Sequence, residues 1–201
     1  MTLPWPDRLL TLDDWAALPP DPSRRFELVE GVLVVAPRPA LLHQLALGRL
    51  VAAVQDQLPD GLVAVGEVEV VVDSGGTAAG STAGQGTGPA TVRVPDVIVV
   101  PAAVAEQNPA RVAAADVLVA VEIVSPGTKA MDRVTKQAEY ARAGIPGYWI
   151  VDLDPPAVTM TAQLLVDGVY EVTADGDGVL QLLTPIEVEL DLRGLTDVRR
   201  G

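Results

Sequence analysis

Residues 117–124 read VLVAVEIV, an apolar run interrupted once, by Glu122. A run of this length with no polar alternation predicts a central strand buried on both faces. Ser125-Pro126-Gly127-Thr128 breaks it, and helical spacing follows from about Ala130 to Ala143, ended by Gly144. Residues 147–152, GYWIVD, predict a second buried strand. A core of Val, Leu, Ile and Ala suits a Val-rich sheet covered by Ala/Leu-rich helices.

Working outward, Thr91 to Val100 predicts a strand carrying Pro95-Asp96 in its middle, and Leu62 to Val72 a long strand before it. Between them, residues 74–89 read SGGTAAGSTAGQGTGP. This Gly/Ser/Thr/Ala-rich stretch carries no charge and no packing face, so it predicts a flexible insertion into a hairpin. Leu42, Leu45, Leu47, Leu50, Val51, Val54 and Leu58 recur near helical spacing and predict an amphipathic helix ending before Pro59-Asp60-Gly61. FELVEGVLVVAP, from Phe26, predicts a hairpin turning at Glu30-Gly31. Thr11 caps a short predicted helix, Leu12 to Leu18, which Pro19-Pro20 ends. After residue 157, alternating segments with turns at Asp167-Gly168 and Asp175–Gly178 predict a C-terminal β-meander.

The 201 residues fit one domain with an aliphatic core: apolar residues make up 49% of the chain, with one Phe, three Trp and three Tyr. There is no Cys and one His, which excludes disulfides, thiolate metal sites and multi-histidine zinc sites within one chain. Any metal must be held mainly by carboxylates and carbonyls, which points to a hard ion such as Mg²⁺ or Mn²⁺. The net charge of −13 argues against tight non-specific binding to nucleic acid but permits a local basic contact. Residues 1–14, MTLPWPDRLLTLDD, lack a basic stretch followed by an apolar one, so no signal peptide is expected. No apolar run approaches the roughly 20 residues that span a bilayer. The expectation is a cytoplasmic protein.

Glu122 is costly to bury inside VLVAVEIV unless it is paired, protonated or bound to a cation. Asp96, between Pro95 and a Val-Ile-Val-Val run, has the same character. Two such acids on neighbouring strands can hold one hard cation, able to activate water and offset charge on a phosphoryl oxygen. The alternative is two strand-end acids, each hydrated or salt-bridged.

The order of these residues resembles the PD-(D/E)xK nuclease superfamily and, more narrowly, the Uma-type restriction endonuclease family. The matching pieces are Phe26-Glu27-Leu28-Val29-Glu30-Gly31, His43-Gln44, Pro95-Asp96, Val121-Glu122-Ile123-Val124-Ser125-Pro126, Asp132 with Lys136 and Tyr140, and Tyr148-Trp149-Ile150-Val151-Asp152. The resemblance implies an α/β (α+β) fold with a restriction-endonuclease-like core, a mixed sheet flanked by helices. It implies a metal-dependent endonuclease acting on DNA, with Asp96, Glu122 and the Ile123 carbonyl as ligands to Mg²⁺ or Mn²⁺. The superfamily's lysine normally stands two residues after the second acid, where this chain has Val124. The resemblance moves that role to Lys136, as a residue that orients water and counters phosphate charge.

Lys136 has a second reading. On a helical wheel Met131, Val134, Ala138 and Ala141 form the apolar face, which leaves Lys136 in solvent, paired with Asp132. With Tyr140 these residues make a polar stripe, able to border a cleft or bulk water. His43, at the start of its helix, reads either as a structural or exposed imidazole or, from the resemblance, as facing the acidic site. Glu27 or Glu30 could supply a third acid, or both could be solvated hairpin charges. Trp149 reads as core. A binding module with this fold but no turnover, favoured by Val124 and the charge, remains the alternative function. Hydrolysis of a small phosphorylated substrate is a third. A homodimer through the C-terminal strands is expected from the fold's usual habit.

Overall fold

The computed structural model describes residues 7–19, 25–36, 38–76, 87–124, 131–154 and 156–198, with the side chains of Ala36, Met131 and Asp132 outside that description. In chain order the first elements are α1 (Leu12–Ala16), β1 (Arg25–Val29), β2 (Val32–Ala36), α2 (Leu41–Gln55), β3 (Leu62–Gly66), β4 (Val70–Asp73) and β5 (Thr91–Arg93). There follow β6 (Val97–Pro101), α3 (Ala102–Glu106), β7 (Val112–Ala113), β8 (Val119–Val124), a π-helical stretch (Met131–Lys136), α4 (Gln137–Ala143) and β9 (Gly147–Asp152). The chain closes with β10 (Thr159–Val166), β11 (Val169–Asp177), β12 (Val179–Leu182) and β13 (Val188–Asp191). The chain divides into two compact units, Met1–Arg38 with Glu69–Val94 and Pro39–Val68 with Pro95–Gly201.

In the first unit the strands lie in the order β2–β1–β5–β4. The β1–β2 hairpin turns over two residues, Glu30 (φ 48°) and Gly31 (φ 78°), with Val29 opposite Val32. Two left-handed residues make the turn whose twist matches the strands. A side chain at Gly31 would also strike Leu9 and Leu10, with its Cβ 2.8 Å from that of Leu9. Thr11 caps α1: its hydroxyl accepts from Asp14 N at 3.2 Å, while the Asp14 carboxylate takes the Thr11 N–H at 2.9 Å. Trp15 then packs with Leu10, Leu28, Ala90 and Val92 in an aliphatic cluster, and its indole N–H donates to Glu69 at 2.9 Å.

The antiparallel pairing of β4 with β5 is the hairpin that the Gly-rich stretch interrupts. Residues 77–86 of that stretch lie outside the described residues. Its two ends meet where Gly88 N–H donates to Gly75 O at 3.0 Å.

The second unit holds a six-stranded sheet in the order β11–β10–β9–β8–β6–β3. Only β8 and β9 run parallel, joined by α4, and the other pairs are antiparallel. The sheet is therefore mixed. Every residue of β8 is buried, as its apolar run predicts. Alternation sends Val119, Val121 and Ile123 to one face, where they pack with Ala46, Leu50 and Val54 of α2 and with Trp149 and Val151 of β9. Trp149 is core, as expected. Leu182, Val188 and Leu190 of the β12–β13 pair complete this cluster. Ala120, Glu122 and Val124 take the opposite face, with α4. There Tyr140 meets Tyr148 edge-on at 5.3 Å, and Tyr148 meets Tyr170 at 5.6 Å.

Two expected strands are each divided in two. The run Leu62 to Val72 breaks at Glu67, whose φ of 54° no strand residue can hold. The run Thr91 to Val100 breaks at Pro95, which has no N–H to give a ladder. In both places the chain passes from one unit to the other.

Candidate functional site

β6 pairs with β8 with Val97 opposite Val121 and Ile98 opposite Ala120. Extending that register by one residue sets Asp96 level with Glu122, where Pro95 ends the ladder. The two acids thus lie side by side on adjacent strands, 4% and 3% exposed. Such burial demands partners.

Asp96 Oδ2 accepts the backbone N–H of Ile123 at 2.7 Å, replacing the ladder partner that β6 no longer supplies. His43, in the first turn of α2, brings Nε2 to 3.0 Å from the Ile123 carbonyl and 3.4 Å from Asp96 Oδ2. The leucine-rich face of α2, held in the core by Ala46 and Leu50, delivers the imidazole there.

Glu122 is gripped from the other side. Lys136 Nζ donates to Oε2 at 2.8 Å, and the Tyr140 hydroxyl donates to Oε1 at 2.8 Å. Lys136 is 7% exposed and Tyr140 fully buried, while Val134 is 67% exposed. The helical-wheel reading is therefore inverted for these residues: Lys136 and Tyr140 face the sheet and Val134 meets solvent. A buried carboxylate gains more from charge-assisted donors than an extra valine gains from the core. The π-helical stretch, wound more loosely than an α-helix, ends on Lys136. The expected Asp132–Lys136 pair lies outside the described side chains. Val124 is buried.

The structure brings Asp96, Glu122, Ile123, Lys136 and His43 together within the second unit. Glu27 belongs to the first unit, where it is buried and accepts from Arg93 Nη1 at 2.9 Å and from Val94 N at 3.1 Å. Glu30 is exposed. Sequence reasoning did not single out the Ile123 N–H as the donor to Asp96. It also passed over Arg133, whose Nη2 lies 3.3 Å from Asp152 Oδ2. Tyr140 was visible only as part of a stripe. The signal that could have selected it is Glu122 itself, a buried acid needing two donors.

The donors suit a hard cation in kind: two carboxylates and a carbonyl. The Asp96 and Ile123 oxygens also converge, since both lie within 3.4 Å of the same His43 nitrogen. Among the described residues no group of three or more His, Asp or Glu side chains is arranged to hold a metal. Such a site here would use the main-chain carbonyl.

Over residues 12–196 the chain matches the family model described as "Uma2: Putative restriction endonuclease". The crystal structure of a putative nuclease belonging to DUF820 from Anabaena variabilis ATCC 29413 is similar in fold. It superposes with a TM-score of 0.64 at 18% identity, covering 93% of this chain and 97% of that one. No curated protein matches the chain by sequence. Among the described residues no helix is long and apolar enough to cross a membrane.

Proposed function

The chain belongs to the Uma2 family, and on that premise we propose that it is a Mg²⁺- or Mn²⁺-dependent endonuclease that hydrolyses DNA phosphodiester bonds at Asp96 and Glu122. The observation that carries this reading is the 2.8 Å contact of Lys136 Nζ with Glu122. It puts an ammonium beside the second acid although Val124 stands where the lysine is usual. Fold likeness alone would not support an activity.

Asp96, Glu122 and the Ile123 carbonyl would hold the cation, which when bound supplies Lewis-acid stabilisation of phosphoryl charge and lowers the pKa of water. Hydrolysis forms one bond from water oxygen to phosphorus and breaks the bond to the leaving oxygen, which departs carrying a proton. The Lys136 ammonium orients the water and offsets charge building on the phosphoryl oxygens. Tyr140 holds the other Glu122 oxygen, so that the carboxylate keeps one orientation. His43, against Asp96, would contact the scissile phosphate.

Nicking of supercoiled plasmid with Mn²⁺ tests this reading. The expected result is nicking that EDTA abolishes and that Asp96→Ala and Glu122→Ala each remove. Nicking unchanged in both variants would overturn it. A binding module without turnover is favoured by one observation, that both Glu122 oxygens already receive donors from the chain itself. DNA binding with no nicking under any divalent ion is its signature.

A further inference from the structure

We propose that Arg133 is a phosphate-binding residue, held by Asp152, that grips the DNA strand beside the scissile bond. This rests on the nuclease reading above and adds a contact that reading does not contain.

A chain with a net charge of −13 must present local positive charge to a polyanion. Lys136 cannot do so at the surface, because it is drawn in to Glu122. Arg133, three residues earlier on the same π-helical stretch, keeps its side chain 43% exposed. Its Nη2 lies 3.3 Å from Asp152 Oδ2, a carboxylate only 13% exposed. The other Asp152 oxygen accepts the Asp154 N–H at 3.1 Å, which fixes the carboxylate from its own turn. One nitrogen of the guanidinium is thus anchored. Its remaining N–H groups stay available in a planar fork that matches phosphate oxygens.

The placement follows from strand register. Glu122 lies beside Ile150 and Val124 beside Asp152 in the parallel β8–β9 pair. By alternation Glu122, Ile150 and Asp152 share one face, the one that α4 covers. Two residues along and one strand across put Asp152 roughly 8 Å from Glu122, backbone to backbone. Arg133 therefore stands next to the acidic pair and outside it, where a phosphate neighbouring the reacting one would lie. Asp152 is a positioning residue in this arrangement, acting through Arg133.

The test is the nicking of supercoiled plasmid with Mn²⁺, measured as KM and kcat over a salt series. Arg133→Ala is expected to raise KM about tenfold, the loss of one charge-assisted contact, with kcat little changed. It should also reduce the slope of log KM against log salt by about 1. Arg133→Lys should keep the slope, because the charge remains. Asp152→Asn should raise KM in the unsubstituted chain and have no further effect on top of Arg133→Ala, which a purely structural role would not produce. Circular dichroism checks that each variant is folded. If the unsubstituted protein nicks and Arg133→Ala leaves KM and the salt slope unchanged, the Arg133 assignment is overturned alone. If the unsubstituted protein does not nick, the nuclease reading falls and this assignment falls with it.

Discussion

Lys136 reaches back across fourteen residues of chain to place its ammonium 2.8 Å from the carboxylate of Glu122, with both groups almost wholly buried. A buried pair of this kind repays its desolvation only while both members are present. The same contact therefore governs stability and the proposed chemistry, and the two can be separated by experiment.

Lys136→Ala leaves a buried carboxylate without its counter-charge. Urea denaturation should show a loss of about 3–5 kcal/mol, together with loss of nicking. The double variant Lys136→Met with Glu122→Gln removes both charges at similar volume. It should recover much of that stability and none of the activity. Equal destabilisation in the single and double variants would show that the pair is not what holds this corner.

Asp96 serves the backbone as well as the proposed metal, since it satisfies the Ile123 N–H. Asp96→Asn keeps an oxygen acceptor there and removes the charge, so the fold should melt near the normal temperature while nicking is lost. Asp96→Ala strands a buried donor and should cost a further 1–3 kcal/mol or so. Retained nicking in a folded Asp96→Asn would exclude Asp96 from the reaction.

Tyr140→Phe deletes one hydrogen bond to Glu122 and leaves the ring against Tyr148. The expected cost is about 1.5–3 kcal/mol in stability, read by thermal melting. Because Lys136 still holds the other oxygen, nicking should fall without vanishing. Complete loss of nicking in a folded Tyr140→Phe would place the hydroxyl in the chemistry itself.

In the first unit the Arg8 guanidinium, helped by the Thr11 backbone and hydroxyl, holds the Asp14 carboxyl well below the usual carboxylate range. A carboxyl whose folded pKa is depressed adds stability above its unfolded pKa of about 4, and that stability is lost as pH falls through the folded value. Asp14→Asn should therefore melt lower than the unsubstituted chain at pH 7. The gap should close as the pH is taken far into acid. A gap independent of pH would mean that the cap works through shape alone. The comparison is a pair of thermal melts at several pH values.

Much was written in the chain in one dimension. VLVAVEIV marked a strand buried on both faces because a run with no polar alternation has nowhere else to go, and the same run exposed Glu122 as an acid in need of company. Gly31 and Gly144 set a turn and a helix end through their own backbone limits, with Gly144 closing α4 at a φ of 81°. The ordered series from Phe26 to Asp152 carried the family, which the match over residues 12–196 bears out. Asp96 and Glu122 stand out in the sequence as acids set in apolar strands.

What periodicity read wrongly was the direction in which Lys136 points. A helical wheel ranks faces by side-chain hydropathy and knows nothing of what lies opposite, so it turned Lys136 outward and Val134 inward. The fold reverses them because a buried carboxylate on β8 outweighs one exposed valine, and because a π-helical stretch does not obey α-helical angles. The His43 contacts, the Ile123 N–H on Asp96 and the Arg133–Asp152 pair likewise join residues far apart in sequence. The sequence alone determined which residues could not be ordinary: two acids in apolar strands, one histidine, a lysine out of its usual place. Which donor meets which acceptor was decided only by the tertiary structure. Strand register and helix docking set those distances, and a hydrogen bond is won or lost within a few tenths of an ångström.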